Sequence, residues 1–256
     1  MVRYCYIVAE GPQDIEFLIR LLKLHGLRKV TKLSVLDSFW QPLVPKTFPV
    51  DDDLMKRVPV PTFLENNELS IALHSATGIT RLAKTVEESL ALIPLSDIFG
   101  IGFVLDADSN EEPFDRFEAL IKEIRPIGLP LPSKAGEVTN TSLRCGIFIM
   151  PNNVVAGTLE DILLECAQLN YPNLLELAKN YVSSIDKNQL TNNDLRELKK
   201  PAGENKAIIS SISSILRPGR ALQVSIDDNR WLEEKTLSLE SINSIKIFLD
   251  KITGIA

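Results

Sequence analysis

Apolar residues along the chain fall into short runs, each followed by a segment with helical spacing. Tyr4–Ala9 is a compact apolar run that breaks at Glu10-Gly11-Pro12. From Asp14 the sequence Asp-Ile-Glu-Phe-Leu-Ile-Arg-Leu-Leu-Lys-Leu places its apolar positions on one helical face up to Gly26. Leu33–Leu36 reads as a second strand and Leu69–Leu73 as an edge strand leading to Thr77-Gly78, with an amphipathic helix over Ile79–Leu92. Ile101–Leu105 is another buried-strand run, ending at Asp106-Ala107-Asp108-Ser109. A helix over Pro113–Ile124 follows, with proline in the first turn, where its missing N–H costs nothing. Cys145–Met150 is a further strand, and Pro151-Asn152-Asn153 leads through Gly157 to a helix from Thr158.

These runs lack the strict in–out alternation of a sheet with one wet face. Strands alternating with helices therefore predict an α/β fold: a mostly parallel sheet covered on both faces. After about Tyr171 the strand signal ends, and Leu174–Val182, Asn193–Leu198, Lys206–Leu216 and Ser238–Ile252 read as helices. The expected organisation is an α/β domain over 1–168 with a helical C-terminal lobe over 169–256. One stretch departs from the pattern. Five prolines and the acidic run Asp51-Asp52-Asp53 lie between Pro42 and Pro61, which predicts a Pro-rich insertion over about 42–68 rather than sheet core.

Composition adds bounds to this picture. A chain of 256 residues, 45% hydrophobic and 24% charged, is an ordinary globular sequence that can bury roughly 70–75% of its unfolded surface without a disulfide or metal staple. Cys5, Cys145 and Cys166 have no metal-ligand spacing and read as reduced, buried thiols. No signal peptide or membrane span is visible, so a cytoplasmic protein is expected. The 34 acidic residues outnumber the 28 basic ones, for a net charge of −6. That balance argues against gripping nucleic acid through bulk positive charge.

Placing the acids changes this conclusion. In open parallel α/β sheets ligands bind at the carboxyl ends of strands. Here those ends carry Glu10-Gly11-Pro12-Gln13-Asp14, Asp106-Ala107-Asp108 and, through a loop, Gly157-Thr158-Leu159-Glu160-Asp161. Carboxylates converging on one rim repel each other unless a cation neutralises them. Hard oxygen donors select Mg²⁺ or Mn²⁺, and such ions promote phosphoryl transfer or hydrolysis. Five of these acids (Glu10, Asp14, Asp106, Asp108 and Glu160) would then be offset by bound metal, leaving phosphate contact to a few local cations. Arg217-Pro218-Gly219-Arg220 is a compact basic loop suited to touching phosphate. His74, ahead of Thr77-Gly78, reads as structural but lies within reach of the rim; Trp40 and Trp231 read as packing residues.

The stretch Ile7-Val8-Ala9-Glu10-Gly11-Pro12-Gln13-Asp14 resembles the first motif of the TOPRIM (topoisomerase–primase) domain, and Val104-Leu105-Asp106-Ala107-Asp108-Ser109 resembles its Asp-x-Asp motif. Gly157-Thr158-Leu159-Glu160-Asp161 is similar to the third acidic element of OLD-type (overcoming lysogenization defect) TOPRIM nucleases. The likeness covers roughly residues 4–168 and is strongest to small stand-alone bacterial TOPRIM-like proteins.

The resemblance implies a Mg²⁺- or Mn²⁺-dependent nuclease acting on DNA or RNA by a two-metal mechanism, in a defence or repair setting. Glu10 would be a metal ligand and general acid/base. Asp14, Asp106, Asp108, Glu160 and Asp161 would serve the metals, Gly11 would contact substrate, and Lys206 would stabilise transition-state charge. The sequence has no zinc ribbon and no Walker-type phosphate loop, so an ATPase would have to be a separate partner chain; oligomeric state stays open. Two alternatives stand beside this reading. One is a non-catalytic TOPRIM-like binding or regulatory module. The other is a haloacid-dehalogenase-type phosphatase with Asp106 as nucleophile.

Overall fold

The computed structural model describes residues 2–47, 52, 53, 55, 58–108 and 112–255. Pro49 and Asp51 of the insertion and Ser109 of the Asp-x-Asp segment lie outside the described residues. The strands are β1 (Arg3–Ala9), β2 (Arg28–Val30), β3 (Thr62–Glu65), β4 (Leu69–Ser75), β5 (Ile98–Asp106) and β6 (Arg144–Met150). They form one sheet in the order β2-β3-β4-β1-β5-β6. The β4-β1-β5-β6 block is parallel, while β2–β3 and β3–β4 pair antiparallel.

The missing alternation has a direct cause: both faces of the sheet are covered. Ile7, Ile71, Leu73, Val104 and Phe148 face one core, while Tyr6, Val8, Ala72, Phe103 and Ile147 face the other. The second core is closed by α2 (Leu82–Leu90) and α3 (Pro113–Ile124) through Val86, Phe117, Leu120 and Ile124. The first is closed by α1 (Pro12–Leu22), α4 (Leu159–Asn170), α5 (Pro172–Ser183), α7 (Gly203–Leu216), α8 (Leu222–Asp228) and α9 (Glu240–Thr253). A short α6 (Asn192–Leu198) precedes α7.

Apart from α6, the helices after residue 168 thus pack on one face of the sheet, and α9 lies directly on it. Glycine makes that approach possible. A Cβ at Gly100 of β5 would stand 2.3 Å from the Ile252 carbonyl oxygen, and one at Gly146 of β6 would stand 2.7 Å from the Phe248 ring.

Three local expectations are corrected. Leu33–Leu36 is no strand; Leu33–Val35 is a turn of 3₁₀ helix, and the second strand is Arg28–Val30. Leu69–Leu73 belongs to an interior strand, because β3 pairs on its outer side and β2 and β6 are the edges. The last part of the 42–68 insertion is β3 itself, which begins directly after Pro61, consistent with proline being tolerated ahead of a strand's ladder. Trp40 and Trp231 are fully buried packing residues, and all three cysteines are buried and free. Among the described residues no helix is long and apolar enough to cross a membrane.

Candidate functional site

Parallel pairing brings the carboxyl ends of β4, β1, β5 and β6 to one rim. At the end of β1, Glu10 is followed by Gly11 and the start of α1, where the Asp14 carboxylate accepts the Gly11 N–H at 2.8 Å. At the end of β4 the chain turns back over this segment: the Ala76 N–H donates to the Ala9 carbonyl at 2.8 Å and the Gly78 N–H to the Glu10 carbonyl at 3.0 Å. Gly78 has φ 129°, a conformation glycine adopts without steric cost.

Asp106 ends β5 beside Glu10. Its backbone N–H donates to Glu10 Oε1 at 3.1 Å, and its own Oδ1 accepts the Leu159 N–H at 3.0 Å. The second bond ties β5 to the start of α4, where a free backbone N–H favours a negative partner. Glu160 is the next residue. It is only 7% exposed, and its Oε2 has no hydrogen-bond partner. Lys206 Nζ on α7 stands 3.8 Å from Glu160 Oε1.

Glu10, Gly11, Asp14, Asp106, Glu160 and Lys206 line one cleft of about 730 Å³, closed on its far side by α7 and α8. Burial raises the Glu10 carboxyl above its usual range, opposed by the Asp106 N–H and by the charges of Arg116 and Lys206. Asp14 is pushed up to about 7, first by burial, with Glu10 and Glu160 adding repulsion. Asp106 is raised well above the ordinary carboxylate range by burial and then by Asp14, Glu10 and Glu160. Asp14 and Asp106 are thus penalised both by burial and by the carboxylates beside them.

Five other residues singled out in the sequence lie apart from this group. Asp108 pairs with Arg116 and lines a neighbouring hollow of about 520 Å³, which shares Lys206 with the cleft. Asp161 caps α4: its Oδ2 accepts the Thr158 N–H at 2.8 Å, and its Oδ1 accepts from Asn205 at 2.8 Å. Arg217 pairs with Asp228 at 3.2 Å, and neither it nor Arg220 lines the cleft. His74 faces away from the acids, bonded through Nδ1 to the Tyr6 hydroxyl at 2.6 Å and through Nε2 to the Pro59 carbonyl at 3.0 Å.

Sequence reasoning did not find Ser210, Leu222 and Gln223, which complete the far wall. Ser210 sits one turn beyond Lys206 on the same helix, so the lysine's helical face was the available signal. For Leu222 and Gln223 no motif existed, because α8 itself went unread.

A divalent ion can be tested against these residues. The donor chemistry suits a hard cation, with four carboxylates on one cleft and one buried oxygen unpartnered, but the placement is incomplete. The carboxylates do not close a coordination sphere by themselves, since no group of three acids, histidines or cysteines placed to hold an ion occurs among the described residues.

A family model described as "protein of unknown function (DUF3226)" matches residues 5–252. Among solved structures, a hypothetical protein from Pyrococcus horikoshii OT3 is similar, at 19% identity and a TM-score of 0.56, covering 98% of this chain and 95% of that one. This likeness extends over the whole fold, including the helices after β6. No curated protein matches.

Proposed function

The chain belongs to the DUF3226 family, and from the chemistry of its own cleft we propose that it is a TOPRIM-like, Mg²⁺- or Mn²⁺-dependent phosphodiesterase. One observation carries the reading: Glu10, Asp14, Asp106 and Glu160, from three separate strand and helix ends, face a single cleft opposite Lys206. Four carboxylates gathered at one cleft, with Asp14 and Asp106 raised by burial and by their neighbours, would be an unfavourable arrangement without a task. Glu10, Asp14, Asp106 and Glu160 are the residues that would hold the metal. When bound, a divalent ion supplies an activated water and neutralises phosphate charge.

The chain's own residues have distinct roles. Asp106, fixed by the Leu159 N–H, orients the rim. Glu10, anchored through one oxygen and raised above its usual range by burial, is placed to accept or return a proton. Lys206 faces the acids from α7 and holds the negative charge of a bound phosphate. Asp108 and Asp161 support the site from outside, Asp108 through Arg116 and Asp161 by joining α4 to α7 through Asn205. In this reading the protein acts on nucleic-acid phosphodiesters, and any ATPase is a separate partner.

A specific observation favours a second reading, a non-catalytic binding module: among the described residues no three acids stand ready around one point. Hydrolysis of nucleic-acid substrates with Mg²⁺ or Mn²⁺, compared with the Asp106→Asn variant, separates the two. The phosphodiesterase reading expects metal-dependent cleavage that the variant loses. No cleavage by the native chain contradicts it.

A further inference from the structure

The cleft also restricts what can reach its acids. Glu160 is nine-tenths buried with an unpartnered Oε2, and it lines the same cleft as Lys206. Lys206 and Ser210 of α7 with Leu222 and Gln223 of α8 form the wall of the cleft beside these acids. That wall is tied down at two points. Asn205 on α7 donates to Asp161 on α4 at 2.8 Å, and Asp227 on α8 pairs with Lys23 of the 3₁₀ turn that extends α1 and, at 3.6 Å, with Lys29 of β2.

A cleft of about 730 Å³ has the volume of a small-ligand site. Recognition of a duplex instead buries on the order of 1,000–2,500 Å² of protein surface and depends on many phosphate-neutralising cations. Lys206 is the lysine or arginine among the described residues lining this cleft, and the whole chain carries a net charge of −6. From α7 and α8 the cleft is also lined by Ser210, Gln223 and Leu222. Neutral hydrogen-bonding groups beside an apolar one suit the edges and faces of a base, which a nucleotide exposes when it is unpaired.

We propose that the substrate is an unpaired nucleotide phosphodiester, either in a single strand or as a free dinucleotide, and that duplexes are excluded. The proposal rests on the phosphodiesterase reading above. The reaction is a hydrolysis: a water oxygen forms a new bond to phosphorus, the bond from phosphorus to the leaving sugar oxygen breaks, and that oxygen takes up a proton. The wall of α7 and α8 selects by size and by neutral contacts.

The test uses the full chain with Mn²⁺ and three labelled substrates: a single-stranded oligonucleotide, the same strand annealed to its complement, and a linear dinucleotide. The expected result is cleavage of the single strand about 100-fold or more faster than of the duplex. Cleavage of the dinucleotide at a similar rate identifies the free compound as a sufficient source, while its failure beside a cleaved single strand assigns the site to polymer. A duplex cut as fast as the single strand overturns this proposal and leaves the phosphodiesterase reading standing. No cleavage of any of the three overturns both.

Discussion

The two ends of the same sheet treat charge in opposite ways. At the amino-terminal end, Arg3 donates to the Gly254 carbonyl at 2.6 Å and Arg144 to the Lys251 carbonyl. Both guanidinium groups lie near the Phe99 ring, 5.6 and 4.7 Å from its centroid. These cations meet the carboxyl end of α9, where the helix dipole and unpaired carbonyls favour positive charge. At the carboxyl end, four acids share one cleft, one buried oxygen has no partner, and one lysine faces them. The first end is compensated and serves stability; the second is under-compensated, and the proposed function assigns a ligand to it.

The largest expected effect is at the acidic end. Asp106→Asn should reduce phosphodiesterase activity by about 1,000-fold, in the range seen when one group of a catalytic set is removed. It should also leave the thermal midpoint unchanged or raise it by about 2–4 °C, because a repelled buried charge is gone. Asn keeps an oxygen to accept the Leu159 N–H. Loss of activity together with a large fall in midpoint would instead mark Asp106 as structural.

Next in size is the packing of α9 on the sheet. Gly100→Ala places a Cβ against the Ile252 carbonyl and should cost about 1–3 kcal/mol in denaturant unfolding. An unchanged midpoint would show that α9 shifts away without penalty.

The pH dependence of stability should be smaller and of a definite sign. In the unfolded chain these acids ionise near about pH 4, whereas folded Asp14 holds its proton up to about 7 and Asp106 is raised in the same direction. The folded state therefore binds more protons across that window, and stability falls as pH rises from about 4 to about 7. Mn²⁺ should restore the lost stability near pH 7 in the native chain and not in Asp106→Asn. Thermal melts at stepped pH with and without the ion check both statements.

The smallest effect belongs to the compensated end. Arg144→Ala should cost about 1 kcal/mol through lost capping and ring contact and leave the activity unchanged. An activity loss there would break the contrast between the two ends.

Much of the fold was legible because its signals are local. Helix α3 was read at its exact bounds, since Pro113 and the spacing of Phe117, Leu120, Ile121 and Ile124 belong to one short segment. What failed depended on partners distant in sequence. Leu69–Ser75 is interior because β3 pairs outside it, and β3 is a four-residue strand directly after a Pro-rich stretch. Helix α8 is seven residues long, too short for a periodic signal.

The site divides in the same way. Glu10 and Asp106 were legible because each terminates an apolar strand. Asp108 and Asp161 share their motifs, but Arg116 and Asn205, partners invisible in the motif itself, engage their carboxylates instead. Lys206 gained its place from α7 packing beside α4, which no sequence spacing encodes.

The central claim is tested most directly by calorimetric titration of Mn²⁺ into the native chain near pH 6.5, repeated in buffers of different ionisation enthalpy. The account predicts saturable binding accompanied by proton release, since carboxyls held above their usual range must give up protons to a cation, and loss of that binding in Asp106→Asn. Absence of saturable binding, or binding that Asp106→Asn leaves intact, would contradict it.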